Sequence, residues 1–338
     1  MPHMAPFAPF FVVLALSGPL PAAAPPASED LAACRTEEPT AQVFAACGRL
    51  IASAGTDKLE RAEAYARRGN LLRDRADFAA AVTDYDAALR LSPDMPAALN
   101  GRGVAYRSLD KLDLSLRDLD RAIAVRPDYA EAYNSRGVTH GVLKDLDRAI
   151  ADFDQAIVLE PNYPAAFNNR GNCYADKGDA DRALADYDRA IALDPDYGNA
   201  YFNRAELLNR DKGDFARAIA DYTEAIRRDP RRATAFSGRA VAYSRSNDTA
   251  AALTDYAAAI ALDPEEMLNF RNRALLRINA GDFRRAIPDL DRALRLAPGD
   301  VKTLMLRGLA RLKTGDRKGG NADIAEAKKR DPKIAASL

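Results

Sequence analysis

Small and apolar residues mark two helical faces in this chain, and the pair of faces returns every 34 residues. In residues 164–197, Phe167, Gly171 and Tyr174 occupy positions 4, 8 and 11, and Ala183, Tyr187 and Ala190 occupy positions 20, 24 and 27. In residues 130–163 the same positions hold Tyr133, Gly137, His140, Ala149, Phe153 and Ala156. Spacings of three and four put each triplet on one side of a helix. The pattern predicts two helices per stretch, A and B, that approach closely at the small residues beside an aromatic. Proline then closes the stretch: Pro93, Pro127, Pro161, Pro195, Pro230, Pro264, Pro298 and Pro332 lie 34 or 35 residues apart. Proline cannot continue helix B and opens the link to the next stretch. Gly178-Asp179, Gly213-Asp214, Gly281-Asp282 and Gly315-Asp316 place a glycine after helix A and an aspartate N-cap before helix B. Asp77, Asp145 and Asp248 supply that cap in three other stretches, and Lys111 is the exception.

A fixed period of this length predicts an all-α solenoid, in which each unit buries itself against its neighbours. The register gives eight units: 62–95, 96–129, 130–163, 164–197, 198–232, 233–266, 267–300 and 301–334. Three departures mark where the array should deform. One extra residue near Arg210–Lys212 should lengthen or bulge a helix A. Pro288 should kink a helix B. Gly319-Gly320 should weaken the last helix B, at the end expected to fray first.

The small-Gly-aromatic-Ala-aromatic-Ala-Pro pattern, repeated eight times, resembles the tetratricopeptide repeat. The resemblance implies antiparallel helix pairs stacked into a right-handed superhelix, with helix A lining the concave face. It also implies a protein or peptide as partner. Residues 34–55 resemble, over a short stretch, the N-terminal cap of exported bacterial members.

Two positions go beyond the basic pattern. Position 7 is Arg68, Arg102, Arg136, Arg170, Arg204, Arg239, Arg273 and Arg307; position 23 is Asp84, Asp118, Asp152, Asp186, Asp221, Asp255, Asp289 and Asp323. Such repetition reads either as a ladder of charged ligand sites or as structural guanidinium–carboxylate pairs between helices, and the second is favoured. Aspartate at position 25 occurs in five units and is expected to be solvated.

In the family the groove is lined by positions 2, 5, 9, 12 and 13 of helix A. Carried over, these give a polar middle: Asn100, Asn134 and Asn168 at position 5, with Asn172, Arg107, Asp176 and Asn209. A ladder of carboxamides can hold a peptide backbone, or it can simply bridge neighbouring helices. The C-terminal units give an apolar set, Leu268, Leu275, Ile278, Met305, Leu309 and Leu312, either a docking patch or the seat of a final helix after Asp331. The carboxylate clamp of some family members does not fit: Ala66, Gly101, Glu131 and Ser135 stand where it needs lysine and asparagine, and only Asn70 matches.

Ahead of the repeats, Phe7–Leu16 is apolar and prolines and small residues fill Pro21–Ala27, which reads as a secretory signal (1–27) cleaved within 22–27. The absence of Lys or Arg before the apolar run leaves open a cytoplasmic protein with a Pro/Ala tail. The run is too short to span a membrane. Residues 28–61 form a cap in which Pro39 opens one helix ending at Gly55. In an oxidising compartment Cys34 and Cys47 should pair, pinning an N-terminal arm to that helix; two free thiols are the alternative. Leu31-Ala32-Ala33-Cys34 also resembles a lipoprotein acylation box, but Glu29 and Asp30 separate it from the apolar run.

Composition narrows the function. The 49 basic and 49 acidic residues cancel, so no net field draws in nucleic acid. There are two histidines, and no paired metal-ligand spacing, phosphate loop or nucleophile motif appears. His140 and Cys173 sit at core-like positions. The chain reads as a non-catalytic scaffold without cofactor, metal, small-molecule substrate or stable membrane insertion, periplasmic or secreted. The alternatives are an envelope assembly factor using its convex face and a cytoplasmic adaptor.

Overall fold

The computed structural model describes residues 27–36 and 38–333. Among them every regular element is helical. The signal segment with its cleavage site, and most of the chain beyond Asp331, lie outside the described residues. The described residues divide into two compact units, one running to Leu109 and the other starting at Asp110. The division falls at the one hairpin turn whose helix B lacks a side-chain cap, at Lys111.

The first unit contains α1 (Ala27–Arg35), α2 (Ala41–Ala52), α3 (Lys58–Asp74), α4 (Phe78–Leu91) and α5 (Pro96–Ser108). The expected arm is itself a helix, α1. Its nine residues are too few and too polar to show a period in sequence. The Cys34–Cys47 disulfide joins it to α2, with the Cα atoms 4.9 Å apart. Arg49 adds a second tie, its Nη2 donating to the buried Asp30 carboxylate at 2.6 Å. Arg35 reaches Glu63 of α3. Thr40, rather than Pro39, opens α2 by accepting from the Val43 N–H. A capping box of Asp57 and Glu60 starts α3 four residues ahead of the repeat register.

The second unit begins with α6 (Leu112–Val125), α7 (Ala130–Val142), α8 (Leu146–Leu159), α9 (Pro164–Asp176), α10 (Ala180–Leu193) and α11 (Gly198–Leu207). It continues with α12 (Phe215–Arg228), α13 (Ala233–Arg245), α14 (Thr249–Leu262), α15 (Met267–Asn279), α16 (Phe283–Leu296), α17 (Val301–Lys313) and α18 (Arg317–Arg330). Odd numbers are A helices and even numbers B helices. Asp145, Asp179, Asp214, Asp248, Asp282 and Asp316 each cap the following B helix through a backbone N–H. The residue after helix A is left-handed whether glycine fills it (Gly178, φ 80°) or not (Lys144, φ 60°). Each A–B pair packs at its small positions: a Cβ on Gly171 would lie 2.7 Å from the Tyr187 ring.

The extra residue of the fifth repeat is absorbed by a π-helical turn, Leu208–Lys212, ending at left-handed Gly213. Helix α16 runs from Phe283 to Leu296 through Pro288 without interruption. Gly320 is not a weak point: a Cβ there would meet the Gly308 carbonyl and Leu312 at 2.8 Å, so it lets α17 and α18 approach. Successive A helices touch, α7 with α9, α9 with α11 and α11 with α13, and no successive B helices pack as closely among the described residues. The A helices thus form the inner side of this unit.

Candidate functional site

The repeated charges close on themselves. Arg136 Nε and Nη2 donate to the two oxygens of Asp152 at 2.9 and 2.7 Å. The same fork joins Arg68 to Asp84, Arg170 to Asp186, Arg204 to Asp221, Arg239 to Asp255, Arg273 to Asp289 and Arg307 to Asp323. All these carboxylates are buried, as is Asp118. The hydrogen bond to Asp152 raises the Arg136 pKa above the ordinary arginine value, against the effect of burial. Nη1 is used as well. It donates to the position-25 aspartate of the preceding repeat: Arg102 to Asp86, Arg136 to Asp120, Arg170 to Asp154, Arg204 to Asp188 and Arg307 to Asp291. These aspartates are exposed or half-exposed, yet they are paired, which corrects the expectation that they are merely solvated. Arg136, Arg170, Arg204 and Arg307 therefore each tie their own B helix to the preceding one, and their guanidinium groups are spent in the seam.

Asn134 and Asn168, at position 5, face the next A helix. Asn134 Oδ1 accepts from Asn169 Nδ2 at 3.0 Å, and Asn168 Oδ1 accepts from Asn203 Nδ2 at 2.9 Å. Asn168 is only 3% exposed and Asn100 7%. Asn209 is likewise buried, its backbone carbonyl accepting from Arg245. Of the two readings of these asparagines, groove contact or bridge between helices, Asn134 and Asn168 show the bridge, and Asn100 and Asn209 are buried. Arg107, on α5, is half-buried, and burial followed by repulsion from Arg73 lowers its pKa. Of the carried-over asparagines, Asn172 alone is exposed.

Asn172 lies at the centre of a trough across α7, α9 and α11. Between α7 and α9 is a slot of about 290 Å³, with Val138, Gly141, Val142, Leu146, Phe153 and Cys173 as its apolar lining. Burial pushes the Cys173 thiol up to about 11. Lys144 crosses the slot's rim to Asp176, Nζ to Oδ2, at 2.9 Å. Between α9 and α11 is a pocket of about 240 Å³, lined among others by Asn172, Asp176, Asn203, Glu206 and Arg210. Glu206 Oε1 accepts from the Tyr222 hydroxyl, and Arg210 is held in a fork by Asp211 at 2.8 and 2.9 Å. The sequence had marked Asp176 and Asn172 but not Gly141, Val142, Lys144, Asn203 or Glu206. Gly141, Val142 and Glu206 stand at positions 12, 13 and 9, where they depart from the neighbouring units.

In the C-terminal units Leu268, Leu275 and Leu309 are exposed, whereas Met305 is buried in a cluster with Leu294, Leu304 and Ala327. Leu312 packs against Gly320. The apolar set is thus smaller than expected, and the final helix that was to cover it lies outside the described residues. His140 is buried, with Nε2 3.9 Å from Asp152. Among the described residues no cluster of His, Cys, Asp and Glu could hold a metal ion, and no helix is long and apolar enough to cross a membrane.

Profiles described as tetratricopeptide repeat match residues 130–163, 164–197, 186–220, 207–266 and 239–311, and one described as TPR repeat matches 69–109. Among solved structures, the chain is similar to the Cut9–Hcn1 hetero-tetramer of the APC/C, with 14% identity and a TM-score of 0.63 over 83% of this chain and 62% of that one. It is similar to pilF of Pseudomonas aeruginosa, with 18% identity and a TM-score of 0.55 over 61% and 94%. A tetratricopeptide repeat protein from Parabacteroides merdae shares 19% identity, with a TM-score of 0.51 over 74% and 98%. These likenesses bear on the fold. No curated protein matches the chain.

Proposed function

The chain belongs to the tetratricopeptide repeat family, and from that premise we propose that it is an interaction scaffold that holds a segment of another protein on the exposed face of its A helices. The observation that carries this reading is the trough across α7, α9 and α11, where exposed polar groups surround an apolar slot. Elsewhere the repeated charges are consumed by the seam. The scaffold works in an oxidising compartment outside the cytoplasm. The Cys34–Cys47 disulfide supports that placement, since such bonds persist where thiols are not kept reduced.

The test is partner capture with two sets of exposed substitutions. Asn172→Ala with Asp176→Ala alters the A face; Val158→Asp with Arg189→Ala alters the B face. Loss confined to the first set supports the reading. Loss confined to the second transfers function to the B helices, as in an assembly factor. The N-terminal mass of the protein isolated from cells tests the compartment: retention of residues 1–21 would contradict export.

A further inference from the structure

We infer, resting on the reading that the A face binds a peptide segment, that the trough recognises a pair of side chains: an aliphatic one in the slot between α7 and α9, and a lysine or arginine in the pocket between α9 and α11.

The slot exists because a side chain is missing. Position 12 of helix A is Arg73, Arg107, Ala175, Asn209, Ser244, Ile278 or Leu312 in the other units and Gly141 here. A Cβ at Gly141 would meet nothing within 4 Å, so neither packing nor backbone requires glycine. Glycine inside a helix costs about 1 kcal/mol relative to alanine, and what it leaves is space. Val142, 52% exposed, flanks that space. At about 290 Å³ the slot sits at the smallest end of the roughly 300–1,000 Å³ typical of sites for whole small molecules. It fits one apolar side chain.

The second pocket is acidic. Asp176 and Glu206 each have one oxygen engaged, by Lys144 and by the Tyr222 hydroxyl, which leaves the other oxygen of each for a cation. Arg210 is already closed on Asp211. The charged residues that line this pocket are Asp176, Glu206 and Arg210, and with Arg210 taken up by Asp211 the two carboxylates are left to complement a basic side chain. Between the two pockets, Asn172 Oδ1 accepts from the Tyr187 hydroxyl at 2.8 Å. Its amino group remains to donate to a peptide carbonyl. Neighbouring helices lie about 8–10 Å apart. Same-face side chains of an extended chain recur about every 7 Å in a strand and about every 9 Å in polyproline II. The aliphatic and basic residues should therefore stand two or three positions apart.

The occupant is a segment of another protein. Residues 1–26 and 334–338, which lie beyond the described residues, contain no Lys or Arg and do not supply the pair.

The probe is a phage-displayed library of random dodecapeptides selected on the full-length protein, with affinities of the selected peptides measured by fluorescence anisotropy. Enriched peptides should carry an aliphatic residue two or three positions from a Lys or Arg. Gly141→Leu starts from open space at its Cβ, extends a side chain into the slot and should weaken binding about tenfold or more, the equivalent of losing one buried aliphatic side chain. Asp176→Asn with Glu206→Gln should weaken peptides with the basic residue and spare those in which it is replaced by glutamine. Circular dichroism checks that each variant folds; if Gly141→Leu does not, Val142→Asp at the exposed rim replaces it. Peptides that lack the pair, or that bind the slot-filled variant as well as the parent, would overturn the pairing while leaving A-face binding intact, provided Asn172→Ala weakens them. If nothing is enriched, or enriched peptides ignore every A-face variant, both readings fail.

Discussion

Arg170 and Asn172 lie two residues apart on α9 and meet opposite fates. Arg170 turns into the seam between helices, where Asp186 and Asp154 take up its guanidinium. Asn172 turns outward, exposed, into the trough. The seam uses the same residue types in every unit because the same A–B contact must be rebuilt in every unit. The outer face of the A helices has no such duty, and there the units differ: Val138, Asn172 and Glu206 occupy one register position in successive repeats. In a repeat protein, positions that never vary along the chain report packing, and positions that vary freely are where selectivity can be written.

The largest expected effect comes from opening the seam. Asp186→Ala strands the mostly buried Arg170 without its fork and should cost about 3–5 kcal/mol, read as a lowered urea midpoint. A small loss would mean that the fork is not structural. Next, Cys34→Ser with Cys47→Ser releases α1 from α2 and should cost about 3 kcal/mol, with earlier protease cleavage of the cap. Protease resistance equal to the parent's would show that Arg49–Asp30 and packing suffice. Gly171→Ala pushes a methyl into the Tyr187 ring and should cost about 1–3 kcal/mol; a neutral result would show that the ring moves aside. Smallest is Asp188→Ala. This residue also binds Arg204, but it is 53% exposed and should contribute at most about 1 kcal/mol. A loss as large as that of Asp186→Ala would erase the distinction between the buried and exposed sides of the fork.

Much of the architecture was legible in sequence, because helix pairs, caps and turns obey local rules that the period repeats. Asp179 could be recognised as an N-cap, and Gly178 as the left-handed residue before it, without any long-range knowledge. Helix α1 was not legible: it is short and polar, and it is held by a disulfide and the Arg49–Asp30 pair rather than by an apolar stripe. The binding surface was legible only in part. The register position of Asn134 and Asn168 leaves both a groove contact and a bridge between helices open; their direction, along the stack toward Asn169 and Asn203, depends on how one unit meets the next. The bond from Arg204 to Asp188 was hidden for the same reason, since it crosses between units. The slot at Gly141 was hardest to see, because it is made by an absent side chain.

The division of labour between seam and outer face is tested most directly by photo-cross-linking in cells. Val142 on α7 and Val158 on α8 are both well exposed, at 52% and 71%, so either can be replaced by p-benzoylphenylalanine without disturbing the core. Adducts with a protein partner should form from position 142 and not from position 158. Adducts from 158 alone would place the partner on the B helices and contradict the assignment of binding to the A face.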